Sequence, residues 1–302
     1  MQQGIYHMPV MLHEIIEALQ IKPDGIYVDC TFGGGGHSNA ILGKLNEKGK
    51  LFVFDQDEEA KKNIPADERI TFIPHNFRHL QRFLRLYKVS KVNGIVADLG
   101  VSSYQFDKAE RGFSTRFDAP MDMRMDQRQT LTASDILATY SEEKLHRLFE
   151  QYGEVTNSKT LAGTIAQIRN TTSLLTINEF KKAINPVVKG NPHKYLAQVF
   201  QALRIEVNDE FVALKEMLGQ VPGLLLPRGR IAVITFHSLE DRIVKKNLKN
   251  GSVDENERDA VYGTKIKSEL LVITKKPITP GEKELKNNPR ARSAKLRIAE
   301  RI

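Results

Sequence analysis

The stretch 27–38, YVDCTFGGGGHS, constrains the fold of this chain more than any other. Residues 25–30 read as a buried strand, followed by four consecutive glycines and a helix that starts near His37 or Ser38. Such a strand–glycine turn–helix unit leaves backbone N–H groups and the positive end of a helix dipole at the strand's carboxyl end. Glycine suits the turn because a Cβ would oppose φ > 0 and hold a ligand off the backbone. Asp29, at the strand tip, can face a ligand's amino group. The next strand, 51–54, ends at Asp55, 22 residues beyond Gly33. That spacing suits a carboxylate that accepts hydrogen bonds from a ribose diol.

The pattern points to a nucleoside cofactor and separates two kinds. A dinucleotide fingerprint needs a third glycine for close helix packing. Here that place holds Ser38 counted from Gly33, or Asn39 counted from Gly34. S-adenosylmethionine, which has an α-amino group and a ribose but no pyrophosphate, fits better.

The rest of the chain repeats the unit and then departs from it. An amphipathic helix over 10–20 precedes the first strand; helix 38–48, strand 51–54, helix 57–63 and strand 70–73 follow it. Asn76 caps a helix reaching about Tyr87, and strand 94–98 ends on Asp98. Four βα units of this kind predict a parallel sheet with right-handed crossovers. The next strand of this type, 230–235, comes about 130 residues later, far beyond one crossover. The interval reads as helices over 132–139, 141–151, 158–169, 176–184 and 194–218, with Thr176 and Glu179 as a capping box. The expected fold is therefore α/β and Rossmann-like, with an inserted all-helical domain. Residues 1–105 and 206–302 form the discontinuous α/β domain, and 106–205 the helical substrate-recognition insert. Helix 239–249, a polar loop, strand 270–273 and an antiparallel edge over 294–298 complete the chain.

Composition adds the partner. The formal charge of the 302 residues is +8, and the last 28 residues contribute +6 of it, with nine Lys/Arg against three Glu. Such a tail is either a solvated face or a polyanion-binding edge; for the second reading Arg290, Arg292, Lys295 and Arg297 are the candidate phosphate contacts. No run of about 18 apolar residues exists to span a membrane. The N-terminus lacks a secretory pattern, and the single cysteine, Cys30, allows no internal disulfide or cysteine zinc cluster. A cytoplasmic protein is expected, with neither membrane nor metal as a partner.

Ligands of open α/β sheets bind outside the carboxyl ends of the strands. Asp98, Ser102 and Ser103 after the fourth strand, and His237, Ser238 and Asp241 after the fifth, are expected to face that crevice. Methylation of an exocyclic base nitrogen needs an acceptor for the amine's hydrogens. Asp98, Ser102, Ser103 and His237 are the candidates, and no single one is assigned. Phe106 and Phe113 either stack on a flipped base or join the core, whereas Met121, Met123 and Met125 read as packing.

HMPVMLHE (7–14), DCTFGGGGHS (29–38), DLGVSSYQFD (98–107), ERGFS (110–114), DMRMD (122–126), FHSLEDRIVK (236–245) and NPRARSAKLRIAER (288–301) together resemble the MraW/RsmH family. These are S-adenosylmethionine-dependent methyltransferases that act on the N4 of a cytosine in bacterial 16S ribosomal RNA. The resemblance runs through the whole chain in order. It implies a class I methyltransferase fold and a target in the decoding centre of the small ribosomal subunit. By motif, it places cofactor contacts at Gly35, Gly36, His37, Asp55, Phe77, Asp98 and Gln105. Two other readings remain at this point: a non-catalytic RNA-binding protein, and a nicotinamide-dependent oxidoreductase, which the missing glycine disfavours.

Overall fold

The computed structural model describes residues 9–250 and 268–302. Residues 1–8 and most of the expected polar loop lie outside the described residues. The chain divides into two compact units, Met1–Gly100 with Phe211–Ile302, and Val101–Glu210. The cuts expected at 105/106 and 205/206 both fall inside the second unit.

The first unit opens with α1 (Leu12–Leu19), β1 (Ile26–Asp29), α2 (Gly36–Leu42), β2 (Lys50–Phe54), β3 (Ile70–Ile73), α3 (Leu80–Leu86) and β4 (Val92–Asp98). Helix α2 is shorter than the expected 38–48, because Gly43 closes it and the Asn46 N–H turns back to the Pro23 carbonyl at 2.7 Å. The segment expected as helix 57–63 is a 3₁₀ turn over Glu58–Asn63, capped by the Asp57 carboxylate.

The second unit holds α4 (Ser103–Asp107), α5 (Ala133–Thr139), α6 (Glu142–Gly153), α7 (Ser158–Ile168), α8 (Ile177–Ile184) and α9 (Pro192–Asn208). It has its own core, in which Leu145, Phe149, Leu161, Phe180, Val199 and Leu203 meet the buried Met121, Met123 and Met125. Phe113 is buried in that core and Phe106 packs against it. Thr176 and Glu179 make the expected reciprocal cap at the start of α8.

The chain returns to the first unit through α10 (Glu210–Leu224), β5 (Leu225–Thr235), α11 (Ser238–Asn250), β6 (Leu270–Val272), α12 (Glu282–Asn287) and β7 (Lys295–Arg301). The single helix expected over 194–218 is two helices, broken at Asp209, whose φ of 50° is left-handed. Asn208 accounts for the place of the break. Its buried amide donates to the carbonyls of Met123 (2.8 Å) and Arg204 (2.9 Å) and accepts the Met125 N–H (2.7 Å).

The seven strands run in the order β3-β2-β1-β4-β5-β7-β6. Strands β1 to β5 are parallel, and β7 is antiparallel to both β5 and β6. The expected pairing of β7 with β6 is present, but β7 lies inside the sheet and β6 is the edge. Successive side chains on a strand face opposite sides, and both sides here are covered. Phe52, Phe54, Ile95, Ala97, Ile231 and Val233 pack with Leu84, Leu218 and Val244 on one face. Leu51, Val53, Val96, Ala232 and Ile234 pack with Ile15, Leu19 and Ile41 on the other. Continuous apolar runs, rather than alternation, are what a doubly covered parallel sheet requires. No helix among the described residues is long and apolar enough to cross a membrane.

Replacing Asn208 by alanine strands the buried Met125 N–H and Met123 carbonyl, at about 1–3 kcal/mol for each group left unpaired. The expected result is a loss of stability of that size in urea unfolding followed by circular dichroism, and an unchanged midpoint contradicts it.

Candidate active site

Three neighbouring parallel strands, β2, β1 and β4, run into Asp55, Asp29 and Asp98 at their carboxyl ends. The chain winds outward from β1 through β2 to β3 and then crosses to β4 on the other side. The switch point of the sheet is therefore at β1, where an open α/β sheet binds its ligand.

Asp29 is turned into the fold rather than toward the crevice. It is 2% exposed, and its carboxylate accepts the Thr31 N–H (3.0 Å) and the Ser38 hydroxyl (2.7 Å). It thus ties the glycine loop to the first turn of α2. Ser38 stands where a dinucleotide fold needs its third glycine, and its hydroxyl is spent on this bond. The loop takes left-handed φ at Gly33 (49°) and Gly35 (76°), as its glycines allow. Gly36 is required for another reason: a Cβ there would lie 2.2 Å from the Pro9 ring. Cys30 is buried, and burial, followed by the Asp29 charge, drives its thiol pKa well up.

The loop reaches both flanking carboxylates. The Gly33 N–H donates to Asp55 Oδ2 at 2.8 Å, and the Asp57 N–H donates to Oδ1 at 2.9 Å. Each oxygen keeps a second lone pair for another donor. Burial dominates over these bonds and pushes the Asp55 pKa up to about 7. On the other side, the Asp98 N–H donates to the Thr31 hydroxyl at 2.7 Å. The buried Oδ1 of Asp98 has no hydrogen-bond partner among the described residues. Its Oδ2 lies 3.9 Å from His37 Nδ1. His37 is itself fixed: its Nε2 is 2.9 Å from the Val10 carbonyl, which only accepts, so that nitrogen carries the hydrogen. Burial raises the Asp98 pKa to about 6, His37 opposes the rise, and Asp29, Glu240 and Glu284 add to it.

Glu284 was not evident from sequence, and Glu240 stood out only as part of the FHSLEDRIVK run. Glu240 is 3% exposed and accepts the Phe236 N–H at 2.8 Å, and Glu284 accepts the Met11 N–H at 2.7 Å. Glu240 sits within the HSLED run, whose polar residues mark it; nothing in the sequence marks Glu284. Phe77, half-buried, follows β3 in a 3₁₀ turn capped by Asn76, whose amide also donates to Gln56 Oε1 at 2.7 Å. The loops after β2 and β3 are joined by that bond.

Several expected site residues have other work. His237 caps α11: its Nδ1 accepts the Glu240 N–H at 3.4 Å, and its Nε2 lies 3.1 Å from Glu240 Oε1. Asp241 pairs with Arg297, accepting from Nε at 2.6 Å and from Nη2 at 3.0 Å. Arg297 is 5% exposed and is not a phosphate contact, whereas Arg292 is exposed and Arg290 and Lys295 are half-exposed. In the second unit, Ser102 caps α4 by a reciprocal pair of bonds with Gln105, which is 5% exposed. Ser103 is the first residue of that helix. No group of three or more His, Cys, Asp or Glu suited to a metal ion occurs among the described residues.

A sheet of order 3-2-1-4-5-7-6 with β7 reversed, and acidic tips beside a glycine loop at the switch point, define a class I methyltransferase. Residues 4–302 match the model of the MraW methylase family, and the chain belongs to that family. It is 52% identical over 297 residues to the ribosomal RNA small subunit methyltransferase H of Bacteroides thetaiotaomicron, covering 98% of this chain and 97% of that one. The enzyme of the same name from Flavobacterium johnsoniae is also 52% identical, over 299 residues and 98% of both chains. A solved rRNA methylase from Streptococcus thermophilus aligns with a TM-score of 0.40 at 12% identity, over 99% of this chain and 98% of that one; so distant a likeness carries no weight. The cofactor of this methylase is S-adenosylmethionine, and the site suits it: the orphaned Asp98 Oδ1 awaits a donor, and the acidic surroundings favour a cationic ligand.

The raised Asp55 pKa has a signed consequence for the ligand-free protein. Between about pH 4 and pH 7 the folded state holds a proton that the unfolded state has released. The group's contribution to stability is therefore full at low pH and is lost as pH rises through 7. An Asp55→Asn variant lacks this titration. Its urea midpoint is expected to gain on that of the wild type as pH rises across this window, and a constant difference contradicts the assignment.

Proposed function

We propose that the chain transfers a methyl group from S-adenosylmethionine to the exocyclic N4 of a cytosine in the decoding centre of 16S ribosomal RNA, in the cytoplasm. The observation that carries the cofactor half is the pair of carboxylates, Asp55 and Asp98, set on either side of the loop that Asp29 holds. The RNA half is supported by small subunit ribosomal RNA methyltransferases about half identical along the whole chain, and the cytosine N4 by the motif resemblance.

When bound, the cofactor supplies a methyl group on a positively charged sulfur. Asp55 accepts the ribose hydroxyls, as its place at the tip of β2 suits. Asp98 accepts the α-amino group on Oδ1, which has no other partner among the described residues. Gly35 and Gly36 keep the backbone open, and His37 holds its ring beside Asp98. Phe77 contributes an apolar wall. The place of Gln105 rests on its motif, since its amide is engaged in the cap of α4. The N4 amine must shed a proton as it gains the methyl group. No base is assigned: His237 caps α11 through Nδ1 and stays a candidate through its buried Nε2, which has no hydrogen-bond partner among the described residues, and the backbone groups of Ser102 and Ser103 are candidates for orienting the amine.

The direct test is methyl transfer onto small subunits from cells lacking the enzyme, and onto naked 16S RNA, with the modified nucleoside identified by mass. N4-methylated cytidine is the expected product; a methyl group on another atom, or none, contradicts the reading. A second test separates the two roles open to Asp98. As a cofactor ligand, Asp98→Asn raises the cofactor dissociation constant by about 10- to 100-fold, the worth of one charged hydrogen bond. Normal affinity with turnover lowered by about 10²–10⁴ assigns it as the base instead.

A further inference from the structure

The charge of the chain is unevenly divided. Residues 101–210 carry fourteen Lys/Arg against fourteen Asp/Glu, leaving 31 against 23 elsewhere, so the whole excess of +8 lies in the first unit. If the helical unit touches RNA, it does so without the phosphate attraction that dominates most such contacts. A unit without net charge gains most from contact with the bases.

One place on the second unit is built for that. The segment 115–118 is a short tip clamped at its base. The Met121 N–H donates to the Leu175 carbonyl (2.8 Å) and the Ile177 N–H to the Ala119 carbonyl (2.9 Å). Asp118 accepts the Asn178 N–H at 3.0 Å, and Lys181 Nζ donates to the Thr115 carbonyl at 3.2 Å. On this tip Phe117 leaves 40% of its surface in water. The Arg116 guanidinium lies 5.4 Å from the Phe117 ring centre and 5.0 Å from that of Phe106. The buried Ser114 hydroxyl accepts both the Arg116 N–H (3.3 Å) and its Nε–H (3.1 Å), and Asp107 accepts from Nη2 at 3.2 Å. Arg116 is thus held in one conformation although its side chain is 55% exposed. Close by in sequence, Lys108 Nζ stands 4.6 Å over Tyr104, whose ring is also exposed.

An exposed ring beside a guanidinium plane that is fixed before binding forms a platform on which unpaired bases stack. We propose that Arg116 and Phe117 are such a platform, and that they hold an unpaired nucleotide of the RNA substrate. The inference rests on the RNA-substrate reading above. Stacking tolerates any base, so this unit contributes grip on unpaired RNA rather than sequence choice. The cations of the first unit, exposed Arg292 and half-exposed Arg290 and Lys295 among them, supply the phosphate attraction.

The test is binding of the full chain to a short unstructured oligoribonucleotide and to the same backbone with abasic positions, across a salt series. Phe117→Ala is expected to weaken binding to the intact RNA by about 5- to 100-fold, the worth of one stacked base. Binding to the abasic RNA and the slope of affinity against salt should not change. Phe117→Leu, which keeps an apolar side chain and loses the aromatic face, should behave as alanine does, and Phe117→Trp should bind at least as well as wild type. The Arg290/Arg292/Lys295 triple alanine variant should flatten the salt slope instead, by roughly 0.7 for each phosphate it no longer neutralises. Equal loss for intact and abasic RNA, or no loss, overturns the platform. So does a loss confined to assembled subunits, which assigns the tip to a protein partner. A wild-type chain that binds neither RNA contradicts the RNA-substrate reading itself.

Discussion

The buried carboxylate of Asp29 holds the site together. It fixes Thr31 through its N–H and Ser38 through its hydroxyl, and so pins the turn between β1 and α2 at both ends. From that turn two further bonds reach outward, Gly33 to Asp55 and Thr31 to the Asp98 backbone. The neighbouring strands contribute as well: the Cys30 N–H bonds to Val96 and the Phe32 N–H to Phe54. One desolvated carboxylate therefore sets the positions of two others. The cost is electrostatic. Asp29 is itself held above its ordinary pKa by burial, and its charge adds to the raised pKa of both neighbours. A cationic cofactor relieves that repulsion, which couples binding to the charge of the donor.

A second constraint separates the two units. The sheet unit buries apolar strands on both faces and carries the net positive charge; the helical unit has its own core and no net charge. Each can therefore meet a polyanionic substrate by different physics, long-range attraction in one and short-range contact in the other.

Much of the sheet was legible because its signals are local. The apolar runs 51–54, 94–98 and 230–235 fill both sides of a parallel sheet, and their shortness, β-branched and aromatic content and flanking turn residues identify them. Asp55 and Asp98 were legible because strand ends follow from those runs. What stayed hidden depends on contacts distant in sequence. Asp209 breaks the long helix because Asn208 is bound to Met123 and Met125, some 80 residues earlier. Arg297 looked like one more cation of a basic tail until β7 entered the sheet beside β5 and brought it against Asp241. Asp29 looked like a ligand group because its position is right, but its hydrogen bonds are already spent within the fold; His237 caps α11 with Nδ1 and keeps its buried Nε2 without a hydrogen-bond partner among the described residues. A sequence shows where a polar group lies along a strand, but not whether the fold has claimed it.

The most direct measurement is a crystal structure of the chain with S-adenosylhomocysteine. The ribose hydroxyls are expected on Asp55 and the amino group on Asp98 Oδ1, with the Asp29 bonds to Thr31 and Ser38 intact. A ligand that leaves Asp98 Oδ1 without a donor, or that binds only after the Asp29 bonds are broken, would contradict the role given to these three carboxylates.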